Sequence, residues 1–455
     1  MTRDESEETE GSFRVGAERV YAELLTRVGE ALPQPRLDAT RRAVELLGDP
    51  QRSAPIVHVT GTNGKTSTSR MIESMLRATG LRTGLLTSPH LRRLNERIVV
   101  DGEPVSDGVL VETWGEISPI LEIVDAELVA KGEEPLSYFE AITVLGFAVF
   151  SDAPVDAVVL EVGMGGEWDS TNVADGQVAV FTPIALDHER RLGWTIAEIA
   201  RTKAGIIKPA ASVVSAIQSI DALDQILSAA ADFEAGVAVE RRDFALESTT
   251  VAVGGQLVTV RGRAAEYSDI FLPLYGDHQA QNAAVAIAAV ETFLGGGVVP
   301  LSDDVVAEGL GTVSSPGRLQ LVGTEPTVIV DAAHNPHGAA ALASALTAYF
   351  DFDEWAVVLG VLADKNVHGI VEELAPVATR FFVTRSHSDR AIAVDELAER
   401  VAEVVDSSTM TTVDELRDAL DAARAWASES SRRAVVVAGS ITLVGETIEI
   451  SEEWK

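Results

Sequence analysis

The chain has 455 residues, 46% of them hydrophobic, with no cysteine and a formal net charge of −34. That length holds two or three domains with ample core, and the missing cysteine excludes thiol catalysis, thiolate zinc sites and disulfides. No run of about 18 apolar residues reads as a membrane span, and so acidic a surface repels nucleic acid, which argues against a helicase. These features fit a cytoplasmic enzyme, and neither a nucleic-acid nor a membrane partner is expected.

The opening stretch, MTRDESEETEG, is acidic and lacks an apolar segment. It reads as a disordered, solvated tail over residues 1–12 and not as a signal peptide. The strongest signal follows at residues 56–67, IVHVTGTNGKTS. A β-branched run ends in a Gly-rich turn, and Lys65 and Thr66 open a helical stretch. Gly61 and Gly64 let the backbone wrap a phosphate, and the N–H groups of the new helix point at that anion. Thr62, Asn63, Gly64, Lys65, Thr66 and Ser67 form the expected ATP-binding loop. Lys65 reaches the β/γ phosphates, and the hydroxyl of Thr66 or Ser67 reaches phosphate or Mg²⁺. Val59 stands where the usual G-x-x-x-x-G-K-[ST] pattern has its first glycine, so the loop is a tighter variant.

Beyond it, apolar β-rich runs alternate with helical patterns. Strands are expected at 55–60, 82–87, 155–162, 178–184 and 212–217, and helices near 65–79, 107–130, 138–151, 195–207 and 221–235. That alternation predicts a parallel sheet covered by helices on both faces. Residues 237–275 change to alternating Val, Thr and Leu with Gly breaks, predicting a small antiparallel excursion, and a helix follows from about 279 to 294. A second α/β series opens at TVIVDAA (327–333) and continues through AVVLGVL, RFFVTR and RAVVVAG. The two domains join near 310–320.

Lysine is scarce, six against thirty arginines. Four of the six, Lys65, Lys203, Lys208 and Lys365, fall in motif segments, as expected where a site needs a primary amine that a guanidinium cannot replace. Taken singly, other residues stay ambiguous. Glu161 reads equally as an acidic strand end, His188 as a loop histidine, and Lys203 as a solvated helix lysine.

Several segments converge on one pattern: TSPHLRRLNERI (87–98), SYFEAIT (137–143), EVGMGGEWDSTN (161–172), LDHERRLG (186–193), KAGIIK (203–208), GDHQAQNAAVAIAAVE (276–291), PGRLQ (316–320) and DAAHNPHG (331–338). With the P-loop ahead of them, they make the chain resemble the folylpolyglutamate synthase/dihydrofolate synthase family, a branch of the Mur ligase superfamily, over roughly residues 35 to 445. The resemblance implies an N-terminal P-loop ATPase domain with a parallel sheet (13–312), a linker (313–325) and a C-terminal Rossmann-like glutamate-ligase domain (326–455). It implies an ATP-dependent amide-forming ligase acting as a monomer on ATP, L-glutamate and a reduced folate or dihydropteroate, through an acyl phosphate. A peptidoglycan Mur ligase is not expected, since a UDP-sugar domain of about a hundred residues does not fit before Gly61. A nonenzymatic nucleotide-dependent binding module is the remaining alternative.

The site residues follow from the same resemblance. Ser88, Glu161 and His188 are the implied Mg²⁺ ligands, and Lys65, His188, Arg318 and a CO₂-carbamylated Lys203 the implied catalytic groups. Asn282, Arg318, Asp331 and His334 join the P-loop in holding ATP, with Asn335 continuing that loop. Tyr138, Phe139, Trp168 and Asp169 are implied in folate binding. Asp364 and Lys365 match a family turn, where a solvated turn is as good a reading. Three departures mark this chain: GKTS in place of GKGS or GKGT, Glu167 where an arginine is usual, and Arg190 and Arg191 after His188.

Overall fold

The computed structural model describes residues 3–29 and 34–454. Helices α1 (Arg3–Leu25) and α2 (Asp38–Leu46) precede strand β1 (Ile56–Thr60) and helix α3 (Lys65–Ala78). Strands β2 (Thr83–Leu86), β3 (Ile98–Val100) and β4 (Glu103–Pro104) come next, then α4 (Asp107–Ala130), α5 (Tyr138–Asp152), β5 (Ala157–Glu161) and β6 (Val178–Phe181). They are followed by α6 (Glu189–Leu192), α7 (Ile196–Ala204), β7 (Ser212–Ser215), α8 (Ile220–Asp232) and β8 (Gly236–Val239). Strands β9 (Ala245–Ala252), β10 (Gly255–Arg261) and β11 (Glu266–Leu272) lead into α9 (Asp277–Gly295) and α10 (Asp303–Gly311). The rest alternates: β12 (Gln320–Thr324), β13 (Thr327–Val330), α11 (Pro336–Tyr349), β14 (Glu354–Leu359), α12 (Val367–Leu374), β15 (Ala378–Val383), α13 (Val394–Ala402), β16 (Met410–Thr412), α14 (Leu416–Ala427), β17 (Arg433–Ala438) and α15 (Ile441–Ser451). Among the described residues, no helix is long and apolar enough to cross a membrane.

The chain divides into two compact units. One comprises Met1–Glu247, Thr259–Ile270 and Asn282–Thr312, the other Ser248–Val258, Phe271–Gln281 and Val313–Lys455. In the first, an eight-stranded sheet runs β4-β3-β2-β5-β1-β6-β7-β8. All its neighbours from β2 to β8 pair in parallel, and β3 and β4 add an antiparallel edge. Every residue of β1 and β5 is buried, as parallel strands covered on both faces must be. One face carries a core from α1, α2, α4 and α5, with Trp114, Leu121, Phe147 and Phe150 at its centre. The other packs Ile199, Ala200, Ala222 and Ile226 of α7 and α8 against Ala179, Phe181 and Val213.

Strand order positions the site. β5, β1 and β6 lie side by side and in register, Val59 opposite Glu161 and Thr60 opposite Phe181. The chain leaves β1 for β2 on one side and later reaches β6 on the other, which opens a crevice at the carboxyl ends of these strands.

The second unit holds a six-stranded sheet, β12-β13-β17-β14-β15-β16, parallel except for β12. Its core joins Ile329, Leu342, Trp355, Val357, Phe381 and Val436. A separate three-stranded sheet runs β11-β10-β9.

Two expectations need correction. Residues 3–12 of the expected tail lie in the first turns of helix α1, with Glu10, Gly11 and Ser12 exposed; Met1 and Thr2 lie outside the described residues. Acidic residues near a helix N-terminus complement its dipole, and Ala17, Val20 and Leu24 supply the buried stripe that anchors the helix. The segment read as a linker over 313–325 contains β12, whose Gln320 pairs with Val330 as an edge strand of the second sheet.

Candidate active site

The phosphate loop is built between β1 and α3. Gly61 has φ 147°, and a Cβ there would strike Thr182 Oγ1. Gly64 caps α3 with φ 86°, and a Cβ there would come within 2.6 Å of Asn282 Oδ1. Both positions therefore require glycine. The amides of Thr62 and Asn63 donate to the Pro183 carbonyl at 3.0 and 3.4 Å. Thr62 Oγ1 donates to the Ala185 carbonyl at 3.1 Å and accepts from the Ala185 amide at 3.1 Å. The stretch after β6 thus buttresses the loop, a role for Pro183 and Ala185 that nothing in their residue types announces. Lys65 Nζ donates to the Thr62 carbonyl at 3.3 Å, curled over the loop where a phosphate chain would lie.

Glu161, the last residue of β5, is 1% exposed. Its Oε1 accepts from Thr66 Oγ1 at 2.8 Å and its Oε2 from the Ser88 amide at 3.3 Å. One buried carboxylate therefore gathers the P-loop threonine and the TSPHL loop. His188 stands in the loop after β6 with φ 50°, its amide donating to Asp187 Oδ1 at 2.8 Å. Among the described residues no group of three or more His, Asp or Glu side chains forms a metal cluster; the expected set has two such groups and a serine. Hydroxyl and carboxylate oxygens gathered beside a phosphate loop fit Mg²⁺, which prefers oxygen donors and keeps several waters.

Lys203 lies in the last turn of α7 and is 4% exposed. Its Nζ donates to the Gly61 carbonyl at 2.6 Å. Burial lowers its pKa to about 7; Lys65 reinforces the shift, and Asp187 and Asp169 oppose it. This amine gives up its proton more readily than that of a solvated lysine. The loop from 163 to 172 closes over it. A Cβ on Gly166 would lie 2.7 Å from the Lys203 carbonyl. Asn172 Nδ2 donates to the Glu167 and Gly205 carbonyls, both at 3.0 Å. Beneath the loop, His58 Nε2 is 2.9 Å from Thr171 Oγ1, which donates to Asp169 Oδ1 at 2.6 Å.

The expected folate residues divide. Phe139 and Trp168 are half-buried. Tyr138 is 4% exposed within the core, with Arg97 Cζ 5.3 Å above its ring, so it does not present an open face. Asp169 is buried too, its carboxylate accepting the Met164 and Thr171 amides at 2.9 and 3.0 Å, so it shapes the loop from inside. Its pKa is raised by burial against those hydrogen bonds.

In the second unit, Asp331 follows β13. Its two oxygens accept the Leu319 amide at 2.9 Å and the Ala333 amide at 2.8 Å, tying the PGR turn to the DAAHN loop. Arg318 is half-buried in that turn. His334 Nδ1 is 2.9 Å from the Ala332 carbonyl, and Asn335 caps α11 by accepting from Gly338 N at 2.8 Å. Burial holds the His278 imidazole below its ordinary pKa, with Asp331 opposing and Arg318 reinforcing. Sequence reading did not single out His278, although the residue lies in the quoted GDHQAQNA segment. Asp364 pairs with Arg390 at 2.7 Å and lies 3.9 Å from Lys365, so its turn satisfies its own charges.

Comparisons with known proteins agree along the chain. Residues 59–290 match the Mur ligase middle domain, and residues 317–441 the Mur ligase glutamate ligase domain. The chain is 43% identical over 438 residues to the dihydrofolate synthase/folylpolyglutamate synthase of Mycobacterium tuberculosis, covering 91% of this chain and 90% of that protein. It is 32% identical over 415 residues to the Bacillus subtilis protein of the same name, covering 91% and 94%. The solved structure of Mycobacterium tuberculosis folylpolyglutamate synthase complexed with ADP and AMPPCP superposes with a TM-score of 0.92 at 41% identity, over 96% of this chain and 99% of that one.

Proposed function

The chain belongs to the folylpolyglutamate synthase/dihydrofolate synthase family of Mur ligases, and we infer that it joins L-glutamate to a folate, and to dihydropteroate, at the expense of ATP. It is an ATP-dependent amide-forming ligase. The acceptor's carboxylate oxygen attacks the γ-phosphorus of ATP, ADP leaves, and an acyl phosphate forms. The α-amine of glutamate then attacks the acyl carbon, giving the amide, phosphate and a released proton.

That first step gathers several anions, so neutralisation and alignment supply most of the catalysis. Lys65 and the α3 amides take the phosphate chain, and Asn282 braces Gly64. Glu161, Ser88 and His188 would hold Mg²⁺, which would supply charge neutralisation for the transferring phosphoryl group. The Lys203 amine, its pKa lowered by burial, would add CO₂ and release a proton, and the resulting carbamate anion would orient the reacting groups. Arg318, Asp331 and His334 are the further groups this reading assigns to ATP. Phe139 and Trp168 flank the pterin. The setting is the cytoplasm and the working form a monomer.

The observation that carries this reading is the buried Glu161 carboxylate, which collects Thr66 of the phosphate loop and the Ser88 amide at one point. Purified protein given ATP, Mg²⁺ and L-glutamate, with dihydropteroate and reduced folates in parallel, should release ADP and form a new amide. ATP turnover with no glutamylated product from any acceptor would refute it.

A further inference from the structure

Strand β1 carries two fully buried polar side chains, His58 and Thr60, that the reaction described above does not use. Side chains two apart on a strand point to the same face, and both of these reach the loop from 163 to 172. Thr60 Oγ1 donates to the Gly165 carbonyl at 2.8 Å. His58 Nε2 lies 2.9 Å from Thr171 Oγ1, whose one proton goes to Asp169 Oδ1 at 2.6 Å, so the imidazole is the donor. Burial keeps the ring neutral, and its buried Nδ1 has no hydrogen-bond partner among the described residues, as the Nε2–H tautomer requires. Two residues of a strand span about 7 Å, so the stretch from Gly165 to Thr171 is pinned at both ends across a short base. Trp168 lies midway in sequence between the anchors, its Cζ2 3.5 Å from where a Cβ on Gly165 would stand. Thr143 Oγ1, 2.7 Å from Ser170 Oγ, and the Thr202 carbonyl, which accepts the Glu167 amide at 2.8 Å, hold the same stretch from α5 and α7. Of these elements, β1 is the one that runs on into residues 61–65 of the phosphate loop.

We propose that His58 and Thr60 are positioning residues: they fix the Trp168 loop to the strand that ends in the phosphate loop, and so set the distance between the acceptor's carboxylate and the γ-phosphate of ATP. The inference rests on the ligase reading, in which Trp168 flanks the pterin. Transfer between two separately bound substrates needs their reacting atoms about 3–3.5 Å apart, and a small misplacement costs rate steeply. Anchoring both loops on one buried strand meets that need, because a shift of the acceptor loop would break a buried hydrogen bond to β1.

The test is Thr60→Val, which keeps the branched shape and removes the hydroxyl. With dihydropteroate or a reduced folate as acceptor, kcat should fall about tenfold and the acceptor KM rise about threefold, while the KM for ATP and the calorimetric Kd for ADP stay within about twofold of wild type. Thr60→Ser keeps the hydroxyl and should recover most of the loss. His58→Gln, whose amide N–H replaces Nε2–H, should act nearly as wild type. His58→Asn, whose shorter side chain does not reach Thr171, should repeat the Thr60→Val pattern. Should Thr60→Val not fold, the His58 pair decides. Wild-type kinetics in Thr60→Val and His58→Asn would overturn the proposal. So would nucleotide affinity that falls in step with acceptor affinity, or equal losses in Thr60→Ser and Thr60→Val. A wild type that glutamylates nothing would defeat the ligase reading itself, and the proposal with it.

Discussion

Lys203 Nζ donates a hydrogen bond of 2.6 Å to the Gly61 carbonyl, joining the end of α7 to the first turn of the phosphate loop. The contact couples the lysine's protonation state to the Gly-rich loop between β1 and α3.

Carbamate formation needs a neutral amine, and this amine has its pKa lowered to about 7 by burial. With labelled bicarbonate, carbon NMR should show a carbamate that strengthens as pH rises through about 7 and is missing from Lys203→Ala. Lys203→Ala should lose at least about a hundredfold in kcat, with partial rescue by small carboxylates. Lys203→Arg should stay inactive, because arginine remains charged. An active Lys203→Arg enzyme would remove the carbamate from the account.

Lys65→Ala should abolish ligation, by about a thousandfold or more in kcat, with an unchanged circular dichroism spectrum. In the proposed reaction the lost amine is the cation at the transferring phosphoryl group. Near-normal turnover at saturating ATP would exclude Lys65 from the chemistry.

Glu161→Ala and His188→Ala should each raise the Mg²⁺ concentration needed for half-maximal rate by about tenfold or more. Glu161→Ala should also lower stability, since Thr66 Oγ1 and Ser88 N lose their acceptor. Unchanged Mg²⁺ titrations in both variants would mean that other residues hold the metal.

His58 is fully buried, and burial lowers its pKa to about 3 from 6.5, with Lys208 contributing. The folded state binds this proton more weakly than the unfolded chain. Stability linked to His58 is therefore complete above pH 6.5 and is lost progressively as pH falls from 6.5 towards 3. The loss should total roughly 3–5 kcal/mol. Chemical denaturation of wild type and His58→Gln across that range should give a flatter pH dependence for the variant; parallel curves would contradict the assignment.

The sequence showed the phosphate loop plainly because Gly61, Gly64 and Lys65 are positions where only one residue type works. The alternation of strands and helices likewise revealed two parallel sheets. Helix α1 was obscured because acidic composition says nothing about a helix whose stripe, Ala17, Val20 and Leu24, begins beyond the charged run. Residues 320–324 looked like linker because an edge strand is specified by its partner, β13. Tyr138 and Phe139 are adjacent on α5, and only packing decides that the first turns into the core. Asn172 and Pro183 brace the site through backbone atoms of other segments, and Thr171 through the His58 imidazole, contacts for which residue type carries no signal.

The central claim is that a carboxylate is activated as an acyl phosphate before glutamate attacks. It is tested most directly by supplying a folate whose γ-carboxylate is labelled with ¹⁸O, together with ATP, Mg²⁺ and L-glutamate. The account predicts that phosphate released with each new amide carries one ¹⁸O from the substrate. Amide formation with unlabelled phosphate would contradict it.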